Sequence, residues 1–214
     1  TENGDFDAPT LVVDDTLLNS DSADFSDAFD ISFGGDGEFD TFYALNVSQQ
    51  GAPSGLTETT SGLPIFLYKI NGIVYGSTAG AIGSVDTATN TNVAFTISVD
   101  GDGNVTLDQI KPIVHDDAGD PVEAATADAQ QLSAAGLVTL TATAYDQDGD
   151  FQSETVDIGD TFFFEDDGPS ITADTPSDTG DLVTSDADIT DTDNTLNLAD
   201  VFGDSGADYG NDGV

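Results

Sequence analysis

The sequence predicts an all-β fold, an antiparallel β-sandwich stabilised by calcium, with long loops and little helix. Short apolar runs, Asp- and Gly-rich turns between them, and the absence of cysteine lead to this prediction. Short strands separated by turns at close spacing are typical of antiparallel sandwiches. Small domains outside the cell usually depend on disulfides, so in that location a chain without cysteine needs another source of stability, and bound metal is the obvious one.

The charge balance is extreme. The 214 residues include 42 acidic and 2 basic ones, which gives a formal net charge of −40. Self-repulsion of that size destabilises a compact state unless cations neutralise it. The chain is also 37% hydrophobic, with 13 Phe and 5 Tyr, which is enough for a core and unlike a disordered acidic chain. A halophile-type surface without specific sites is the alternative, but acids clustered in turns favour cation sites.

Composition excludes several other classes of site. Two basic residues cannot neutralise a phosphate backbone, so we expect no nucleic-acid partner. Without cysteine, and with His115 as the one histidine, thiolate and histidine-rich metal sites are excluded. No stretch approaches the roughly 20 apolar residues of a membrane span, so we expect no direct membrane insertion. Carboxylates and carbonyls remain, and they suit calcium.

The first predicted elements are two strands that are not part of a predicted hairpin. Residues 10–13 form an apolar run closed by two Asp residues, and residues 39–47 alternate well enough for a second strand. Residues 19–30, between them, have a loop-like composition in which Phe25 and Phe29 are possible anchors to a core.

Three hairpins and a last strand follow. The clearest hairpin is residues 66–75, around an Asn-Gly pair that suits a type I′ turn. The second and third hairpins turn at residues 100–104 and 146–150. The last strand is residues 161–164, and only residues 125–135 have a helical pattern.

We divide the chain into a linker at residues 1–9, a sandwich module at 10–168, and residues 169–214 as a linker and the start, or a returning segment, of a following repeat. Gly168-Pro169 marks the boundary because proline cannot continue a strand ladder. Residues 202–208 weakly echo residues 33–37, which suggests tandem repeats.

The hairpin turn at residues 146–150 is the strongest calcium candidate. Asp146, Asp148 and Asp150 alternate around a glycine, as at the start of an EF-hand loop, although the full EF-hand pattern is missing. A polar hairpin tip is the alternative, because Asp and Gly suit such turns anyway.

The other candidate ligands are weaker. Asp100, Asp102 and Asn104 alternate in the same way, but in a tighter hairpin where an ordinary turn is favoured. Asp36 lies in a glycine-rich turn. Asp15 follows the first strand at one end of the module, and an acidic pair precedes the Gly-Pro boundary at the other end; that pair is Asp166 and Asp167.

We predict no enzymatic activity. His115 precedes two Asp residues and could be a general base, but no nucleophile pattern such as Gly-x-Ser-x-Gly accompanies it, and we interpret it as structural. Carboxylate pairs can hydrolyse glycosides, but among 42 acids their occurrence carries no information.

Several short segments together resemble a known family; they are residues 11–18, 33–37, 54–56 with 60–62, 105–107, 145–150 and 164–170. They are similar to a calcium-dependent module of the giant repeats-in-toxin (RTX) adhesins of Gram-negative bacteria, and closest to the peptide-binding domain of such adhesins. The resemblance covers about residues 10–172. Asp15 is a departure, because the family pattern often has Glu there, and the shorter side chain reduces the reach to a metal.

The resemblance implies a β-sandwich exported by type I secretion and displayed at the cell surface. It implies calcium-dependent binding of a peptide or protein on another cell, in part at a peptide C-terminus, for adhesion and biofilm formation. Neighbouring domains of the same adhesin are the other expected partners.

Two other functions stay open. A structural spacer is the first, but spacers tend to be shorter and more regular, whereas residues 48–62, 79–92 and 112–130 are predicted as extra loops. A calcium-dependent carbohydrate-binding module is the second, with Tyr68, Tyr75 and Tyr145 as candidate exposed aromatics.

Overall fold

The computed structural model describes residues 7–15, 17–115, 129–166, 170–171 and 207–208. In this part of the chain the regular structure consists of strands and three single-turn 3-10 helices, at Ser26–Ala28, Ile82–Ser84 and Gly159–Thr161. The all-β prediction is therefore confirmed. A helix with the length and apolar character needed to cross a bilayer is absent from the described residues.

One face of the sandwich is a six-stranded antiparallel sheet in the order β2-β8-β7-β6-β5-β4. Its strands are β2 (Ser20–Asp24), β4 (Ala52–Thr57), β5 (Pro64–Ile70), β6 (Ile73–Ser77), β7 (Val93–Val99) and β8 (Asn104–Gln109). The β5–β6 hairpin is the one predicted around Asn71-Gly72, and both turn residues have positive φ, +51° and +88°, as a type I′ turn requires.

The other face is a three-stranded antiparallel sheet in the order β11-β10-β3. Its strands are β3 (Glu38–Val47), β10 (Val138–Asp146) and β11 (Phe151–Asp157). Along β10, Val138, Leu140 and Ala142 are buried and alternate with half-buried threonines, so one face of the strand meets the core. The strands β5, β6 and β7 lie against β3, which forms the sandwich.

The core lies between these sheets and extends to their ends. Leu45, Leu67 and Ile97 are fully buried within it, and four phenylalanines supply the largest buried side chains, namely Phe25, Phe95, Phe162 and Phe164. The rings of Phe95 and Phe164 lie 5.0 Å apart, in the range of favourable aromatic pairs. Phe25 is therefore a core anchor as predicted, and Phe29 packs against the core.

A third, small sheet joins the two ends of the module and corrects one expectation. It contains β1 (Leu11–Asp14), β12 (Phe162–Glu165) and β9 (Gln130–Gln131), in the order β1-β12-β9. β1 and β12 pair in parallel, with Asp14 opposite Glu165. Asp15 was placed at the opposite end of the module from Asp166, and that was wrong, because this pairing brings them side by side.

Three loop or helix predictions were also wrong in part. Residues 20–24 form β2, because their backbone pairs with β8 although their composition is polar. The loop predicted at 48–62 contains β4, an edge strand with a register shift between Pro53 and Thr57. Within the predicted helix, residues 130–131 form β9, and the earlier part lies outside the described residues.

The last short pair consists of β13 (Ser170–Ile171) and β14 (Ala207–Asp208), which are antiparallel. The rest of the segment from 172 to 214, with the predicted repeat, lies outside the described residues. The proposed domain boundaries stay predictions.

Candidate metal centres and the adjoining groove

The first candidate metal centre, called the exposed cluster here, consists of Asp36, Asp146 and Asp148. One carboxylate oxygen from each lies within 4.8 Å of the others, close enough to share a cation. The β3–β10 register assembles it, because Asp146 pairs with Glu38 and this places the turn before β3 beside the β10–β11 hairpin. The backbone N–H of Gln147 donates to the carbonyl of Gly37 at 3.2 Å and fixes the two turns together.

The hairpin orders its own carboxylates. Asp146 Oδ1 accepts from the backbone N–H groups of Gly149 and Asp150, at 3.1 and 2.9 Å. A hydrogen bond shared with Asp148 lowers the pKa of Asp146, and the same bond together with charge repulsion raises the pKa of Asp148. Because two carboxylates this close resist being charged together, the cluster is electrostatically suited to a cation. All its donors are oxygens, which suits calcium.

In the similar turn at residues 100–104, the carboxylate of Asp100 is hydrogen-bonded by other residues of the same turn. Asp100 Oδ1 accepts from the backbone N–H groups of Asp102 and Asn104, and Oδ2 accepts from Asn104 Nδ2 at 2.9 Å. These bonds, those from Asn104 first, lower the pKa of Asp100. This geometry favours the ordinary-turn interpretation, and the metal role of Asp100, Asp102 and Asn104 stays an untested prediction.

The second candidate metal centre, called the buried cluster here, consists of Asp15, His115 and Asp166. Their ligand atoms also lie within 4.8 Å of one another. The parallel β1–β12 pair supplies the two carboxylates, and the Asp15 N–H donates to the Glu165 carbonyl at 3.2 Å. The segment after β8 supplies His115, whose Nε2 lies 3.7 Å from Asp15 Oδ2.

Asp15 is held in place on both carboxylate oxygens. Gln109 Nε2 donates to Oδ1, and the Ile113 N–H donates to Oδ2 at 3.1 Å. Asp15 is 0% exposed, and this burial raises its pKa, partly offset by His115 and Ile113. Gln109 Oε1 is buried and has no hydrogen-bond partner among the described residues.

The two clusters differ in what they can bind. An imidazole nitrogen among the ligand atoms of the buried cluster suits zinc or another transition ion better than calcium. Alternatively, a protonated His115 would itself neutralise part of the negative charge of the two aspartates. Burial and the neighbouring Asp14 carboxylate also raise the pKa of Glu165, so this sheet end concentrates negative charge. The buried cluster is therefore a place where a cation would join the first and last strands of the module.

A groove runs from the exposed cluster along β11. Its first cavity, about 550 Å³, is lined by Asp146, Gly149 and Asp150 from the hairpin and by Ser32 and Phe33 from the facing segment. A second cavity, about 690 Å³, continues along β11 between that segment and the strand. The cavities share three lining residues, which are Ser32, Ala144 and Gln152.

The outer face of the three-stranded sheet carries an aromatic row. Tyr145 lies between Phe42 and Phe151, at centroid distances of 5.7 and 5.4 Å. The two phenylalanines are 53% and 61% exposed, next to the hairpin of the exposed cluster. Tyr68, in contrast, is buried and donates its hydroxyl to the Ala79 carbonyl, so it cannot stack against a sugar.

The structure thus combines ligands that were predicted separately. Asp36 joins Asp146 and Asp148, and Asp15 joins Asp166, whereas Asp150 lines the adjoining cavity and Asp167 lies outside the described residues. The sequence prediction missed His115 as a member of a cluster. For the pairing of Asp15 with Asp166 the sequence did offer a signal, namely two short apolar runs that are each followed by an acidic pair, residues 11–15 and 162–166. Continuous apolar runs of this kind are typical of buried parallel strands.

One comparison with known proteins gives a match. A protein-family model described as a domain of unknown function, DUF5801, matches residues 10–159. No curated protein and no solved structure matches the chain.

Proposed function

The chain belongs to the DUF5801 family, and we propose that it is a calcium-dependent ligand-binding module of a secreted bacterial adhesin. Its ligand is a peptide or protein on another cell, and it has no enzymatic activity. The resemblance to RTX adhesin modules supports the extracellular location and the role in adhesion.

One observation carries the proposal: the exposed cluster lies at the end of a groove of ligand-binding size. The first cavity, at about 550 Å³, falls in the range of roughly 300–1,000 Å³ that small-ligand sites occupy. Asp146 belongs to both the cluster and the lining of the cavity. A calcium ion on the cluster would therefore face the ligand and keep open coordination positions toward it.

The charge of the groove explains why a cation is needed. A peptide C-terminus is an anion, and carboxylates around the cavity would repel it. Calcium takes about six to eight oxygen ligands, so three aspartates leave positions for a ligand carboxylate. Calcium would thus supply the positive charge that arginine or lysine provides in other carboxylate sites.

The lack of access to the buried cluster supports a non-enzymatic role. Asp15 is 0% exposed and the His115 side chain is 3% exposed, so a substrate cannot reach the one histidine. We therefore expect that cluster to stabilise the module rather than to act on a ligand.

The test is a peptide selection on the whole chain in millimolar calcium, with peptides that have free C-termini. We expect binders that EDTA releases and that lose about tenfold in affinity when the C-terminus is amidated. Asp148→Asn should weaken the same binders, whereas Asp102→Asn, the matched change in the other hairpin turn, should not. A selection that yields no calcium-dependent binder would favour the structural spacer.

A calcium-dependent carbohydrate-binding module is the second candidate, and the aromatic row is the observation that favours it. Exposed rings beside a cation site are the surface on which a sugar can stack. A glycan array in calcium, repeated with Phe42→Ala and Phe151→Ala, tests it. Glycan binding that survives both substitutions would contradict this candidate.

A further inference from the structure

Within the described residues the strand β11 has one unpaired edge. In the described part of the chain it pairs with β10 alone, along its whole length from Phe151 to Asp157. An edge strand presents unpaired backbone N–H and C=O groups to whatever lies beside it. At about 3.3 Å per residue, its seven residues offer an edge of about 23 Å.

The groove lies next to this strand, over one face of the sheet that it forms with β10. In the second cavity Gln152, Glu154 and Val156 line the β11 side, and the segment from Ala28 to Ser32 lines the other side. Ala142 and Ala144 of β10 contribute small side chains to the lining, which leaves room above the sheet. The cavity thus lies over the face of the sheet that carries Ala142 and Glu154, which pair across β10 and β11. A strand added beside β11 would direct alternate side chains to this same face, as an extended peptide does when it extends a sheet.

The groove is lined by carboxylates. Asp30 and Glu154 face the second cavity from opposite walls, and Asp146 and Asp150 line the first. No lysine or arginine contributes to either lining. The groove is therefore complementary in charge to a basic ligand.

The negative charge of the groove also argues against another segment of this chain, or a second copy of it, as the ligand in the groove. Its two basic residues are engaged outside the groove: Lys69 Nζ donates to Asn46 at 2.8 Å, and Lys111 Nζ donates to the Thr91 carbonyl at 2.6 Å. Residues 172–206 contain several acidic residues and no basic ones. A second copy, at −40, would likewise be repelled.

On the basis of the peptide-binding function proposed above, we infer that the ligand is an extended peptide that pairs with the free edge of β11 and carries Lys or Arg at alternate positions. Alternate side chains of a strand point to the same side. Every second residue would therefore face the carboxylates of the groove, Asp30 and Glu154 among them, while backbone hydrogen bonds to β11 provide the sequence-independent part of the affinity.

Single N-methylation of a selected peptide tests the strand pairing. The probe is each calcium-dependent binder from the selection above, methylated at one backbone nitrogen at a time. Only every second N–H of an added strand points at its partner, so affinity should fall about tenfold at alternate positions and hold at those between them. A methyl scan without this alternation would overturn the strand pairing.

Charge variants test the basic side chains. Asp30→Asn with Glu154→Gln should weaken Lys- or Arg-containing binders about fivefold, and added salt should reduce the difference. Asp160→Asn, an exposed acid outside the groove, is the matched control and should change affinity less than about twofold. Since Asp30, Glu154 and Asp160 are all exposed, each variant should fold, and a thermal melt checks this.

The outcomes separate this inference from the proposed function. Binders that need calcium and a free C-terminus, but are not basic and ignore both the methyl scan and the charge variants, would overturn the inference and leave the function in place. A selection without any binder would overturn both.

Discussion

The hairpin turns at residues 100–104 and 146–150 have nearly the same composition and different surroundings. Both place acids around glycines at the tip of an antiparallel hairpin. The first turn packs against the protein: Gly103 is buried, and its carbonyl accepts from the Phe25 N–H at 3.1 Å. The second is exposed and receives Asp36 from a distant turn. The two turns are therefore distinguished by the residues that the fold brings next to them, and not by their own sequence motif: an additional carboxylate makes one a candidate metal site, and packing makes the other a structural turn.

The largest expected effect is that of metal removal on thermal stability. Each ion that binds only the folded state contributes about 2.7 kcal/mol at a hundredfold excess over its dissociation constant. If both clusters hold ions, chelation should lower the Tm by about 10–20 °C. Calorimetry in EDTA and in millimolar calcium measures this, with calcium and then zinc added back as the controls for the exposed and the buried cluster. Identical melts would show that neither cluster is a stabilising cation site.

The next largest effect should distinguish the two turns by calcium affinity. Asp148→Asn removes a charged donor from the exposed cluster and should weaken calcium binding at that site about tenfold. Asp102→Asn removes the middle acid of the other turn and should leave calcium binding unchanged. Isothermal titration of both variants provides the comparison. Equal losses would mean that the turn at residues 100–104 also binds calcium, as its composition alone suggests.

The sequence predicted those parts of the structure that neighbouring residues determine. The turn at Asn71-Gly72 was recognisable because its chemistry is local. The exposed cluster was not, because Asp36 meets Asp148 only through the register of β3 on β10. The buried cluster needs a parallel pairing between strands at opposite ends of the module, and His115 enters it from a third segment. Spacing along the chain does not encode such contacts, since long-range pairing depends on the packing of the whole sandwich.

A smaller effect should separate the two turn glycines. Both have positive φ, +89° at Gly103 and +98° at Gly149, so alanine at either position should cost about 1 kcal/mol. At Gly103 an added Cβ would also lie 3.1 Å from the Tyr43 ring and 3.2 Å from Ser26 Cβ, whereas at Gly149 nothing lies within 4 Å. Gly103→Ala should therefore destabilise by about 1 kcal/mol more than Gly149→Ala in urea unfolding. A larger loss of stability for Gly149→Ala than for Gly103→Ala would contradict the conclusion that the first turn is packed and the second is exposed.

The smallest effect concerns the pH dependence of the turn at residues 100–104. Hydrogen bonds from Asn104 lower the pKa of Asp100 below its ordinary value of 3.8. The folded state therefore favours the charged carboxylate, and this contribution to stability is present above pH 3.8 and is lost as the pH falls below it. Asn at position 100 keeps an acceptor for the backbone but not the charge. The wild-type chain should thus be more stable than Asp100→Asn at neutral pH, with a difference that shrinks toward zero in acid. Urea unfolding in EDTA at a series of pH values measures this.

The same measurement applied to Asp148→Asn should give the opposite sign at neutral pH. This variant should be more stable than the wild-type chain in EDTA, because it removes the charge repulsion between Asp148 and Asp146. A loss of stability would contradict the contrast between the two turns.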